Sequence, residues 1–129
     1  MLCEMGKLKS AILAAAAGPV VEREPGIFVR TYRFAPDFIG FSGHFPGYPI
    51  LPAFVQLLIV LMTAEEAKGR PLTLVSVEKA KFRMEIYPDR EIEVEYRDVV
   101  AKGRAGLKAT LTAADGVSAS LLLTFEEAG

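Results

Sequence analysis

The sequence predicts an α+β architecture, one long apolar helix wrapped by a curved antiparallel sheet, and three observations carry that expectation. The run Ile50–Ala64 is apolar on nearly every side of a helix, and such a helix cannot lie on a wet surface. From Leu72 onward the hydrophobic period changes to two, the signature of strands. Clusters of turn residues at Tyr87-Pro88-Asp89-Arg90, Ala101-Lys102-Gly103-Arg104 and Ala114-Asp115-Gly116 then divide this part into four strands. A chain of 129 residues fits a single domain over 1–129, large enough to bury a core without disulfides or a structural metal.

Lys7–Ala17 reads as a first helix ended by Gly18 and Pro19. The two lysines before an alanine-rich run superficially resemble a signal peptide, but the apolar part is short and Glu4 stands in what would be the positive region. Val20–Glu24 and Ile27–Phe34 read as strands around a Pro25-Gly26 turn, and Ala35–Leu51 as a loop rich in Pro and Gly. The long helix is expected to start at Pro52, since proline suits the first helical position, and to stop at Gly69. Gln56 interrupts its apolar run, which falls short of the ~20 residues a bilayer needs. Leu72–Ile86, Glu91–Val100, Ala105–Ala113 and Val117–Phe125 follow as antiparallel strands joined by hairpins. Ile92, Val94 and Tyr96 share one face of the second of these, opposite Glu91, Glu93 and Glu95, and Ala119, Leu121, Leu123 and Phe125 repeat the pattern. One face packs on the helix and the other meets water, so the glutamates are read as a solvated face and not as a metal site.

Composition excludes several functions. Fifteen basic and sixteen acidic residues leave a net charge of −1 without blocks of either sign, so nothing points to nucleic acid or to a membrane surface. One cysteine, Cys3, and one histidine, His44, are too few for a zinc site or an internal disulfide, which fits a reducing cytoplasm. No metal and no cofactor is expected. Hydrophobic residues make up 51% of the chain, and a chain of this size that is so apolar often hides part of its surface in an oligomer.

The one histidine sits in a stiff setting. Gly43-His44-Phe45-Pro46-Gly47-Tyr48-Pro49-Ile50-Leu51-Pro52 leads straight into the apolar helix. Any acid/base chemistry that works through an imidazole must use His44, the only side chain here whose ordinary pKa lies near neutrality.

This motif, Gly-His-Phe-Pro-Gly-x-Pro-x-x-Pro at the entrance of a long helix, resembles that of the hotdog-fold β-hydroxyacyl-acyl-carrier-protein dehydratases. Lys79-Ala80-Lys81-Phe82-Arg83 followed by Tyr87-Pro88-Asp89 resembles the strand and turn after the helix in that family. The short N-terminal region and the Pro-Ile-Leu-Pro wording look more like dehydratase-like members of specialised lipid or aryl-polyene pathways.

The resemblance implies loss of water from a 3-hydroxyacyl thioester carried on acyl carrier protein or coenzyme A, or the reverse, in fatty-acid or related lipid and polyene biosynthesis. His44 matches the family's base. Backbone N–H groups near Ala53 would polarise the thioester carbonyl, because the helix N-terminus favours negative charge. Phe45, Gly47, Pro52, Ala53, Phe54, Leu57, Leu58 and Met62 would line the acyl slot. The family also implies a homodimer or higher oligomer whose sheets join edge to edge, with each site built from both chains.

Two positions depart from the pattern. The family carries a catalytic Glu or Asp fourteen residues after the histidine, where this chain has Leu58, and many members have Gln where it has Met62. Ala53 stands where the family usually has Gly. At ~100° and 1.5 Å per residue, Glu65 shares a face with Leu58 and Met62 but lies about 10.5 Å further along, and Gln56 is about 200° around. Asp37 and Tyr48, in the preceding loop, are the other candidates for a replacement acid. The alternatives to an enzyme of this type are a catalytically silent acyl-thioester-binding subunit paired with an active hotdog chain, or an acyl thioesterase.

Overall fold

The computed structural model describes residues 2–41, 50–114 and 116–127. Its first helix, α1, spans Leu2–Ala14, three residues short of the expected C-terminal end. Ala15–Ala17 leave the helix because a strand edge takes their backbone: Ala17 N donates to Thr31 O at 2.8 Å and Arg33 N to Ala15 O at 2.9 Å. Unpaired donors and acceptors on that edge outweigh the helical preference of three alanines.

Six strands form one antiparallel sheet: β1 Val21–Glu24, β2 Ile27–Arg33, β3 Leu72–Phe82, β4 Glu91–Ala101, β5 Arg104–Ala113 and β6 Gly116–Glu127. Their spatial order is β1-β2-β4-β5-β6-β3, so β1 and β3 are the edges. Tight reversals join β1 to β2, β4 to β5 and β5 to β6 as expected, with Lys102 and Gly103 both at positive φ in the second. Gly106 is required where β5 approaches β6, since a Cβ there would stand 2.4 Å from the Leu123 carbonyl oxygen.

The expected hairpin between the third and fourth strands does not form. β3 pairs with β6, and β4 pairs with β2 and β5. Residues 83–90 instead carry the chain from an edge strand back to the sheet interior. Arg83 N still donates to Ser118 O at 2.8 Å, after which Ile86 O accepts from Leu51 N at 2.8 Å and Asp89 N donates to Phe34 O at 2.7 Å. Turn residues such as Pro88 and Asp89, the latter at φ 62, dictate that the chain bends, not which strand it then joins.

The helix that follows the Pro/Gly-rich loop, α2, spans Ala53–Lys68 and ends at Gly69 in the left-handed conformation, the stop the sequence predicts. It packs against the inner sheet face, where Ile92, Val94, Tyr96, Leu107, Leu111, Leu121, Leu123 and Phe125 are buried together with Val55, Ile59 and Val60 of the helix. On the outer face Arg23 pairs with Glu93 and, at 3.5 Å, with Glu95, as a solvated glutamate row requires. Among the described residues no group of three or more His, Cys, Asp or Glu is placed to hold a metal ion. Nor is any helix long and apolar enough to cross a membrane.

Two buried tyrosines differ in how they are satisfied. Thr63 Oγ1 donates to Ile59 O at 2.8 Å, so its one proton is used and Tyr32 Oη must be the donor in the 2.8 Å bond between the two hydroxyls. The Tyr96 hydroxyl has no partner among the described residues. Burial raises both phenols above their ordinary range, opposed at Tyr32 by the bond to Thr63. A raised acid in the folded state holds its proton when the unfolded chain has already lost it. This part of the stability is therefore present below about pH 10 and is lost as pH rises towards the folded values. Denaturant titrations at pH 7 and pH 11 should show that loss. Tyr96→Phe should shrink it while leaving stability at pH 7 equal or up to about 1 kcal/mol higher, because an orphaned buried hydroxyl goes; an unchanged pH dependence in the variant would refute the assignment.

Candidate active site

Among the described residues nothing caps the N-terminus of α2. Pro52 occupies the N-cap, with ψ 152, one residue earlier than the first helical position the sequence suggests. It has neither a side-chain acceptor for the first turn nor an N–H of its own. The first helical bond runs from Gln56 N to Pro52 O at 3.1 Å. The N–H groups of Ala53, Phe54 and Val55 therefore have no partner within the helix, and the macrodipole adds positive potential there. Ala53 and Phe54 are exposed, the latter by 53%.

The chain leading into this terminus is held from both sides. Leu51 is buried; its N–H donates to Ile86 O at 2.8 Å, and its carbonyl accepts from Gln56 Nε2 at 2.9 Å. The segment 83–90 is thus tied through Ile86 to the residue just before the α2 N-cap. A hollow of about 360 Å³ lined by residues that include Arg83, Ile86, Tyr87 and Arg90 adjoins it.

Of the residues assigned from sequence, His44, Phe45 and Gly47 lie outside the described residues, as does Tyr48. Pro52, Ala53 and Phe54 come together at the open terminus. Leu57 and Leu61 are half-buried against the core, and with the exposed Phe54 they make an i, i+3, i+7 stripe on the least buried side of the helix. Of this stripe only Phe54 is exposed. Leu58 and Met62, 9% and 6% exposed, belong to the core. At 100° per residue Leu58 stands only about 40° from Phe54, so it borders the stripe, and Met62 lies about 80° away, beside Lys9 and Leu13 of α1.

The replacement acids fare differently. Glu65 is engaged, its Oε2 accepting from Leu72 N at 2.8 Å. Asp37 is exposed in the turn before the short 3-10 segment Ile39–Phe41. Gln56, 3% exposed, faces away from Leu58 and ties down Leu51. That tether is what the sequence reading missed: a lone amide in an apolar helix flags a buried hydrogen bond, without saying to what.

A six-stranded antiparallel sheet wrapped on one long helix, with the helix N-terminus open at one end, defines the hotdog class. Residues 22–120 match the family of ApeI dehydratases, and the chain belongs to this ApeI-like dehydratase family. It is 33% identical over 108 residues to the 3-hydroxyacyl-[acyl-carrier-protein] dehydratase FabZ of Clostridium novyi, covering 78% of this chain and 76% of that protein. For the FabZ of Latilactobacillus sakei subsp. sakei the figures are 31% over 108 residues, 78% and 77%. Among solved structures, the dehydratase heterocomplex ApeI:P from Xenorhabdus doucetiae superposes with a TM-score of 0.73 at 17% identity, over 85% of this chain and 95% of that one. A hypothetical thioesterase with coenzyme A from Streptococcus pneumoniae superposes with a TM-score of 0.66 at 10% identity, over 97% of both chains. These two likenesses speak to the fold.

Proposed function

We propose that this protein is a dehydratase acting on 3-hydroxyacyl thioesters, carried on acyl carrier protein or coenzyme A, in cytoplasmic fatty-acid or related lipid and polyene biosynthesis. The observation that carries the reading is the uncapped N-terminus of α2 directly after the His44 motif, in a chain of this family. In the reaction the base removes the proton beside the thioester carbonyl, negative charge builds on the carbonyl oxygen, and the hydroxyl leaves as water. His44 is assigned the proton abstraction. The free N–H groups of Ala53 and Phe54 stabilise the developing oxyanion, because donors fixed in place need no reorganisation as charge forms. Purified protein should therefore convert 3-hydroxybutyryl to crotonyl thioester, or hydrate crotonyl thioester, on either carrier. Release of free acid without enoyl product would favour the thioesterase instead.

The Phe54–Leu57–Leu61 stripe and the β3 edge favour assembly with a second hotdog chain. β3 leaves its outer edge unpaired and exposes Val75, Val77 and Phe82, each by 44%, and edges of this kind invite another strand. The protein alone should sediment as a dimer, and Val77→Asp, at a position the fold does not bury, should sediment as a monomer. A monomeric wild type would overturn the homodimer.

One observation favours a second reading, a silent subunit completed by another chain. Leu58 cannot move a proton, and it borders the stripe that a partner would cover. Under that reading the protein alone binds the thioester without turnover, and activity appears on adding a hotdog partner that supplies the carboxylate.

A further inference from the structure

Gln56 is a costly residue where it stands. It is the polar side chain of the helix's first turn, 3% exposed, and its Oε1 has no hydrogen-bond partner among the described residues. The orientation of the amide is not ambiguous. Leu51 O can only accept, so the NH2 group must face it and the oxygen must face away, where no described residue donates to it. A methionine of similar shape would fill the space and remove the orphaned amide oxygen, but it would leave the Leu51 carbonyl without its donor, so the two effects on stability oppose each other.

What the amide does accomplish is positional. Leu51 precedes the N-cap, and Pro52 brings no side chain that can reach back over the first turn. The direction of the free Ala53 and Phe54 N–H groups therefore depends on how the Leu51–Pro52 backbone is held. Besides the first helical bond from Gln56 N to Pro52 O, two bonds hold Leu51 itself: its N–H donates to Ile86 O at 2.8 Å on the crossing segment, and its carbonyl accepts from Gln56 Nε2 at 2.9 Å. The second closes a ring between the residue before the cap and the end of the first turn. It orients the donors without itself occupying them, which a Ser or Asp cap would not.

We propose that Gln56 is a positioning residue, which aims the α2 N-terminal donors at the carbonyl oxygen of a bound acyl thioester. This rests on the dehydratase reading above. Gln56 touches no reacting atom; it acts through Leu51 and Pro52.

The test follows the carbonyl itself. Crotonyl-coenzyme A labelled with carbon-13 at the thioester carbonyl is bound to wild type, Gln56→Met and Gln56→Glu, and its infrared stretch is compared with the free ligand. Donors aimed at the oxygen lower that frequency, whereas a residue needed only for folding leaves the bound band where it was. The expected result is a band lowered in wild type and returned towards the free value in Gln56→Met. Thermal stability should stay close to wild type, and kcat for hydration should fall on the order of 10- to 100-fold, as displaced catalytic geometry produces. In Gln56→Glu only the protonated carboxyl can donate to Leu51 O, so the lowered band should return as pH falls, a change wild type does not show. If Gln56→Met binds the ligand with the wild-type band and turnover, or folded Gln56→Glu shows no pH dependence, the positioning role is overturned and the dehydratase reading stands. If wild type neither binds the thioester nor shifts its carbonyl, the dehydratase reading falls and takes this one with it.

Discussion

His44→Ala is expected to lower the rate of thioester dehydration by about 10²–10⁴, the usual worth of a positioned general base, with folding and thioester binding retained. The expectation is sharp because the chain offers no second imidazole. Among the described carboxylates, Glu65, the one that shares a face with Leu58, is spent on Leu72 N, and Asp37 is exposed in a turn. A free thioester slot without His44 would still present the α2 donors, so some rate above that in water should survive, as it does when oxyanion stabilisation remains after loss of a base. The measurement is single-turnover conversion of 3-hydroxybutyryl to crotonyl thioester, with circular dichroism to establish folding. Turnover unaffected by the substitution would remove His44 from the mechanism, and with it the reason for placing the chemistry at this end of α2.

Features set by local physics are legible in this sequence, and those set by distant contacts are not. The period-two burial of Ile92, Val94 and Tyr96 against the exposed or half-buried Glu91, Glu93 and Glu95 follows from the alternation of a strand. Gly69 stops α2 in the left-handed conformation because glycine carries no Cβ penalty there. Pairing partners are another matter. The Pro88-Asp89 bend resembles a hairpin turn, yet β3 goes to β6 and β4 to β2, a choice made by which apolar faces can close around α2.

The candidate site divides in the same way. The His44 motif and the open helix terminus are legible as residue types in order. The tether from Gln56 to Leu51, and the anchoring of Leu51 by Ile86, join positions whose proximity depends on the path of the crossing segment. The stripe of Phe54, Leu57 and Leu61 was hidden for a related reason: a run apolar on nearly every side does not tell which side of its helix is least buried.

Leu58→Glu is expected to have the largest opposing effects in the molecule, a loss of stability and a gain in rate. Leu58 is 9% exposed and part of the core. Exchanging it for glutamic acid gives up the leucine's packing and desolvates a carboxyl, which together cost about 2–4 kcal/mol. For a domain of this size that lowers the melting temperature by roughly 10 °C. The same burial raises the carboxyl's pKa, since desolvation disfavours the charged form. A carboxyl kept protonated near neutral pH is the state in which an acid can hand a proton to the departing hydroxyl, and it stands fourteen residues after His44, where the family carries its own. Dehydration should therefore accelerate by about 10²–10⁴ over wild type. Leu58→Gln separates the two effects: it has the same size and hydrogen-bonding capacity and should lose similar stability, but it has no proton to give and should bring no acceleration. Folded Leu58→Glu protein that is no faster than Leu58→Gln would mean that a carboxyl on this chain's own helix does not reach the reacting atoms. A missing acid would then have to come across the stripe from a partner chain.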